Sequence, residues 1–89
     1  MTLLELFYNF SHKNSHLSKK NLKKMSIFLR LYCYSLLNRT ISSISKDEVE
    51  KVLNKIDNKL NKIKTYAYLN IIFKHAKINN LVLVNFISK

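Results

Sequence analysis

The sequence predicts an all-α protein, an antiparallel bundle of three helices in which the first is much the longest. Three observations predict it. Apolar residues recur three or four apart in separate stretches, the spacing that lines one face of a helix. Neither glycine nor proline occurs in the 89 residues to interrupt those stretches. One polar connector, N-R-T-I-S-S-I at 38–44, divides the chain, because Ser, Thr and Asn compete for backbone hydrogen bonds and favour turns. At this length the chain is a single domain, residues 1–89. It buries only about 60–65% of its unfolded surface, so its core is small.

The first helix is expected over about residues 3–38. Leu3, Leu6, Phe7 and Phe10 open it, and Leu22, Met25, Leu29, Tyr32 and Leu36 continue as one stripe. Residues 12–18 are polar, either a solvated middle or, with a bend at Asn14–Ser15, a break. At about 100° per residue, Lys19, Lys20, Lys23 and Lys24 fall on roughly the side opposite the stripe. An overhanging part of so long a helix would pack on something outside the bundle.

Ser45-Lys46-Asp47-Glu48 matches a capping box, with Ser45 as N-cap and Glu48 at the third helical position. Asp47, Glu48 and Glu50 also suit the positive end of a helix dipole, so three of the five acids serve helix initiation. The second helix is expected over about 46–63, with Val49, Val52, Leu53, Ile56, Leu60 and Ile63 as its apolar face. Lys51, Lys55, Lys59 and Lys62 line one flank with no acid four residues further on.

Thr65 is placed to cap a third helix over about 66–87. Its stripe reads Tyr68, Ile71, Ile78, Val82 and Phe86, with His75 in line. Asn79–Asn80 offers an earlier end, which would leave Leu81 to Val84 as a short extended tail.

The formal net charge is +11, from 16 Lys and Arg against 5 Asp and Glu. Such self-repulsion opposes compaction, and a polyanion relieves it. Lysine outnumbers arginine, and Asn, Ile, Tyr and Phe are plentiful, the bias of AT-rich codons; that bias does not explain the scarcity of acids. The lone Cys33 excludes an internal disulfide and sits in an apolar stretch as a small buried hydrophobe. The longest apolar run, residues 27–37, is far short of a membrane span and contains Arg30. There is no secretory signal pattern. The N-terminus is Ser-rich and basic, like a faint mitochondrial presequence, but contains Glu5. Synthesis within a mitochondrion or plastid, or in the cytoplasm of an AT-rich bacterium, is expected.

Without glycine there is no phosphate-cradling loop. His12 and His16 lie four apart but lack further ligands, and Cys33 with His75 lacks an orienting third group, so no metal, cofactor or small-molecule substrate is expected and the chain reads as non-enzymatic. Nucleic acid is the better target. Lysines contact phosphates without reading sequence, and stripes spread over several helices suit a folded RNA. Beyond the two lysine stripes, the candidate RNA contacts are Lys13, Arg30, Asn70, Lys74, His75 and Lys77. Tyr32, Tyr34, Tyr66 and Tyr68 are candidates for stacking on bases.

The layout resembles the bacterial-type small-subunit ribosomal protein twenty family. Met25-Ser26-Ile27-Phe28-Leu29-Arg30 resembles that family's M-R-T-F-I-K, with Asn21 near its upstream Asn. Ile56-Asp57 resembles the I-D of its second helix, and Asn70-Ile71-Ile72-Phe73-Lys74-His75 the N-x-A-A-R-H/K run of its third. The chain departs from it at Tyr68, where His is usual, at the bulky Ile72 and Phe73, and in lacking a Gly before the third helix. The resemblance implies binding to small-subunit rRNA among neighbouring ribosomal proteins. Residues 12–20, H-K-N-S-H-L-S-K-K, resemble the H-K-x-D-x-H-S-R-R loop of small-subunit ribosomal protein fifteen and imply the same class of partner. The competing expectations are an accessory subunit of a membrane complex and a nucleoid-type DNA-binding protein.

Overall fold

The computed structural model describes residues 1–14 and 17–79, and among these it is all-α with no strand. The helices are α1 (Leu3–Lys13), α2 (Lys19–Tyr32), α3 (Tyr34–Leu37), α4 (Lys46–Asn54) and α5 (Lys59–Ile78), with a 3-10 turn at Ile41–Ser43. This is more pieces than the three-helix expectation, and each extra break has a local cause.

The expected helix over 3–38 is broken twice. Asn14 closes α1 by sending both its backbone N–H and its side-chain Nδ2 to the Phe10 carbonyl, at 3.0 and 2.9 Å. Ser18 then opens α2, its Oγ accepting from the Asn21 N–H. The break lets α1 fold back, so that Leu3, Leu6, Phe7 and Phe10 are buried in the same cluster as Met25 and Leu29. Each such side chain contributes about 1.5–3 kcal/mol when removed from water, far more than one continuous helical turn. Among the described residues no part of α1 or α2 is left overhanging in the way the long first helix implied; α1 is a member of the bundle. At Cys33 the backbone departs again (φ −110°, ψ 21°) and α3 turns onto α1.

The expected helix over 46–63 stops at Asn54. Lys55 and Ile56 make tight bonds back to Val52 and Leu53, and Ile56 drops into the core. Asn58 restarts the chain as the N-cap of α5, its Oδ1 taking the Asn61 N–H at 3.0 Å. The third helix therefore begins at Lys59 rather than near residue 66. Thr65 is not its cap but a buried residue inside it, its hydroxyl satisfied by the Asn61 carbonyl at 2.8 Å.

The capping box at Ser45 and Glu48 forms as its spacing predicts. A second one, Thr2 with Glu5, starts α1. Leu3 N–H and Ile41 N–H bond the carbonyls of Arg39 and Met1, which seats the N-terminus against the connector.

α5 is the spine. At about 1.5 Å per residue its 20 residues span about 30 Å, close to the longest dimension of the molecule, 32 Å. It packs on α1, α2 and α4 through Thr65, Leu69, Ile72, Phe73 and Ala76. That face is not the expected stripe: Ile71 and Ile78 point outward, and Tyr68 is half-buried. Leu60 and Ile63, expected on the second helix's buried face, are exposed on α5 instead. Val82, Phe86 and the expectations for residues 80–87 lie outside the described residues.

Candidate nucleic-acid interface

Charge along the chain comes in blocks. Residues 13–30 hold six cations and no acid, and residues 59–79 hold five cations and no acid. Between them, residues 39–57 balance four cations with four acids. The fold brings the ends of the two acid-free blocks together. α2 runs antiparallel to α5, since Tyr32 OH accepts from Asn61 Nδ2 at 2.9 Å while Phe28 meets Tyr68 edge-on at 5.4 Å. The first turns of α2 therefore lie beside the last turns of α5. α1 ends at the same place: Lys13 Nζ donates to Asn79 Oδ1 at 3.2 Å, and Phe10 packs edge-on against His75. Lys13, Lys19, Lys20, Lys23, Lys24, Lys74 and Lys77 thus crowd one end of the bundle, all exposed.

This crowding works against the free protein. Among the described residues the one ion pair is Arg39 with Glu48, remote from that end. α2 has no acid in its first turn, where Lys19 and Lys20 instead face the positive end of the helix dipole. A cation in that position costs about 0.3–1 kcal/mol. α5 repeats the arrangement with Lys59 and Lys62 near its own N-terminus.

The second lysine stripe does not survive as a line. Lys51 and Lys55 belong to α4 and its C-cap, Lys59 and Lys62 to α5, with the break between them. Lys51 and Lys55 also lie in the charge-balanced segment, and Asp47 stands one turn before Lys51. Lys62 Nζ donates to Asn54 Oδ1 at 3.0 Å, tying α5 back to α4.

Two candidate contacts have other partners, and a third has its acceptor buried. His75 Nε2 lies 2.9 Å from Asn9 Oδ1 and its Nδ1 lies 3.2 Å from Asn79 Nδ2, which fixes a neutral ring donating from Nε2. Burial first, and the Lys13 ammonium second, push its pKa below the ordinary value. Neither ring nitrogen is left for a phosphate. Asn70 Oδ1 is buried and has no hydrogen-bond partner. Arg30 is exposed, but its Nε and Nη2 donate to Ser26 Oγ and Tyr8 OH, bracing α2 against α1.

The tyrosines also divide. Tyr32 and Tyr68 are half-buried and meet Phe28 edge-on, whereas Tyr34 and Tyr66 are exposed. Lys64, exposed on α5 and absent from the candidate stripes, is a residue that the block pattern of charge would have found.

Cys33 is fully buried, and burial pushes its thiol up to about 12. It follows Tyr32, whose partner Asn61 lies about 21 Å along α5 from His75, so the two do not form a pair. Among the described residues no three metal-ligating side chains gather; His12 is exposed and His16 lies outside the described residues. No described helix is long and apolar enough to cross a membrane. Two open grooves flank α5. One of about 560 Å³ is lined by Ile56, Lys59, Lys62, Ile63 and Tyr66 among others, and one of about 250 Å³ by Phe10, Ile71, Lys74 and Ile78 among others. No family model, curated protein or solved structure matches this chain.

Proposed function

We propose that this chain is a non-catalytic protein that binds folded RNA through the lysine-crowded end formed by α1, α2 and α5. The observation that carries the reading is the meeting of two acid-free cationic blocks at one end of a bundle whose own stability they oppose. Phosphates are the partners that make such a placement favourable, because each one neutralised releases counterions. Contacts spread over three helices fit the several backbone surfaces of a folded RNA. Lys13, Lys19, Lys20, Lys23, Lys24, Lys74 and Lys77 make up the contact surface, with Arg30 bracing it.

The sequence resemblances narrow the class to ribosomal RNA of a small subunit, in a mitochondrion, a plastid or an AT-rich bacterium, with neighbouring ribosomal proteins as further partners. Sedimentation of a cell or organelle extract on a density gradient tests this. The chain should travel with the small subunit and be stripped by high salt. If it stays in the soluble fractions at low salt, the ribosomal reading fails.

A further inference from the structure

α5 has a second apolar side. Opposite the face buried in the core, Leu60, Ile63, Ala67, Ile71 and Ile78 stand outward, with Lys74 set among them. The four large ones are 60%, 56%, 46% and 69% exposed. At about 100° per residue they fall within an arc of about 80°. We propose that this outer side of α5 docks on an anionic lipid bilayer surface.

Three features select that occupant. The first is charge: residues 59–79 contain five lysines and no acid. Lys59 and Lys77 line one flank of the stripe and Lys64 the other, a placement that suits lipid phosphates on both sides of a shallow insertion. A second copy of this chain would set five cations against five. The second is straightness. Leu60 and Ile78 are about five full turns apart, so the stripe runs parallel to the helix axis for about 27 Å. A supercoiled partner helix instead requires a repeat of about 3.5 residues, which would place Asn70, Lys74 and Lys77 in the seam. A straight stripe matches a plane. The third is the border: Tyr66 lies beside the stripe and lines, with Leu53, Ile56 and Ile63, a groove whose charged residues are Lys59, Lys62 and the single acid Asp57. Lysine stems lie along apolar surface while their heads reach out to phosphate, which accommodates Lys74 within the stripe. No described helix is long and apolar enough to cross a membrane, and α5 would dock on the bilayer rather than span it.

The test uses the full chain and sedimented vesicles, one set of phosphatidylcholine alone and one containing a third phosphatidylglycerol. Binding to the anionic vesicles should exceed binding to the neutral ones by at least about tenfold. Leu60→Ser with Ile71→Ser and Ile78→Ser should abolish it while leaving RNA binding and helicity unchanged. Lys20→Glu with Lys23→Glu should do the reverse, losing RNA and keeping vesicles, so failure of one reading is separable from failure of the other. Should the serine variant not fold, Tyr66→Trp in an otherwise native chain reports insertion by a blue shift of indole emission on anionic vesicles. No wild-type binding, binding retained in the folded serine variant, or no emission shift overturns the proposal. So does a concentration-dependent dimer that the serine variant loses.

Discussion

The imidazole of His75 makes stability at the basic end sensitive to acid. His75 is neutral in the fold, held between Asn9 and Asn79, and its pKa lies below the ordinary 6.5. Above that ordinary value the ring is uncharged in folded and unfolded chains alike, and its contribution to stability is fully present. As pH falls past it, the unfolded chain binds the proton first and stability declines until the lowered value is passed. Urea melts at about pH 7.5 and about pH 5 should show this decline, and His75→Gln should make it shallower. The caps make an independent prediction. Ser45 Oγ accepts the Glu48 N–H, while Glu48 reaches back to Ser45 and also pairs with Arg39. Ser45→Ala should cost about 1 kcal/mol, a fall of about 4–8 °C in melting temperature for a domain of this size.

The two-sided character of α5 was the hardest element to read from sequence. Leu69, Ile72, Phe73 and Ala76 on one side and Leu60, Ile63, Ile71 and Ile78 on the other give a helix with two opposite apolar faces separated by lysines. Periodicity then has no single phase to report, and a stripe through Tyr68, Ile71 and Ile78 is as regular as the true one. Leu69→Ala should destabilise by about 2–5 kcal/mol, while Ile71→Ala should change stability by no more than about 0.5 kcal/mol. Equal effects in thermal melts would mean that the helix is rotated from the orientation described. α2 was easier, because lysines occupy the side opposite Met25 and Leu29. Ser18 and Asn58, where α2 and α5 start, are residue types that suit an N-cap, yet periodicity alone marks neither as a start. They were masked by helical patterns that run through them in a chain without glycine or proline. Lys20→Glu with Lys23→Glu should move two properties in opposite directions. The change at position 20 puts an acid in the first turn of α2, which the helix dipole favours by about 0.3–1 kcal/mol. RNA affinity should drop with a salt slope flatter by about 0.7–0.9 per lost phosphate contact.

At the scale of the whole molecule, the all-α class followed from spacing alone, whereas the arrangement depended on how far the chain doubles back. Four apolar residues of α1 gain more by folding back into the shared core against α3 and α5 than by extending α2, a comparison that becomes visible only once the helices are placed. The net charge of +11 remains after folding with one ion pair among the described residues. Added salt should therefore raise the melting temperature of the free protein while weakening its hold on RNA. One further consequence comes from the junction of α2 and α3. Cys33 is the only thiol in the chain, is sealed from solvent and is protonated at neutral pH. A maleimide can reach it only when the two helices part. The rate of alkylation is therefore a clock for breathing of the bundle, carried by the natural sequence with no label added. Slower alkylation with RNA bound would show how firmly a ligand clamps the helices together.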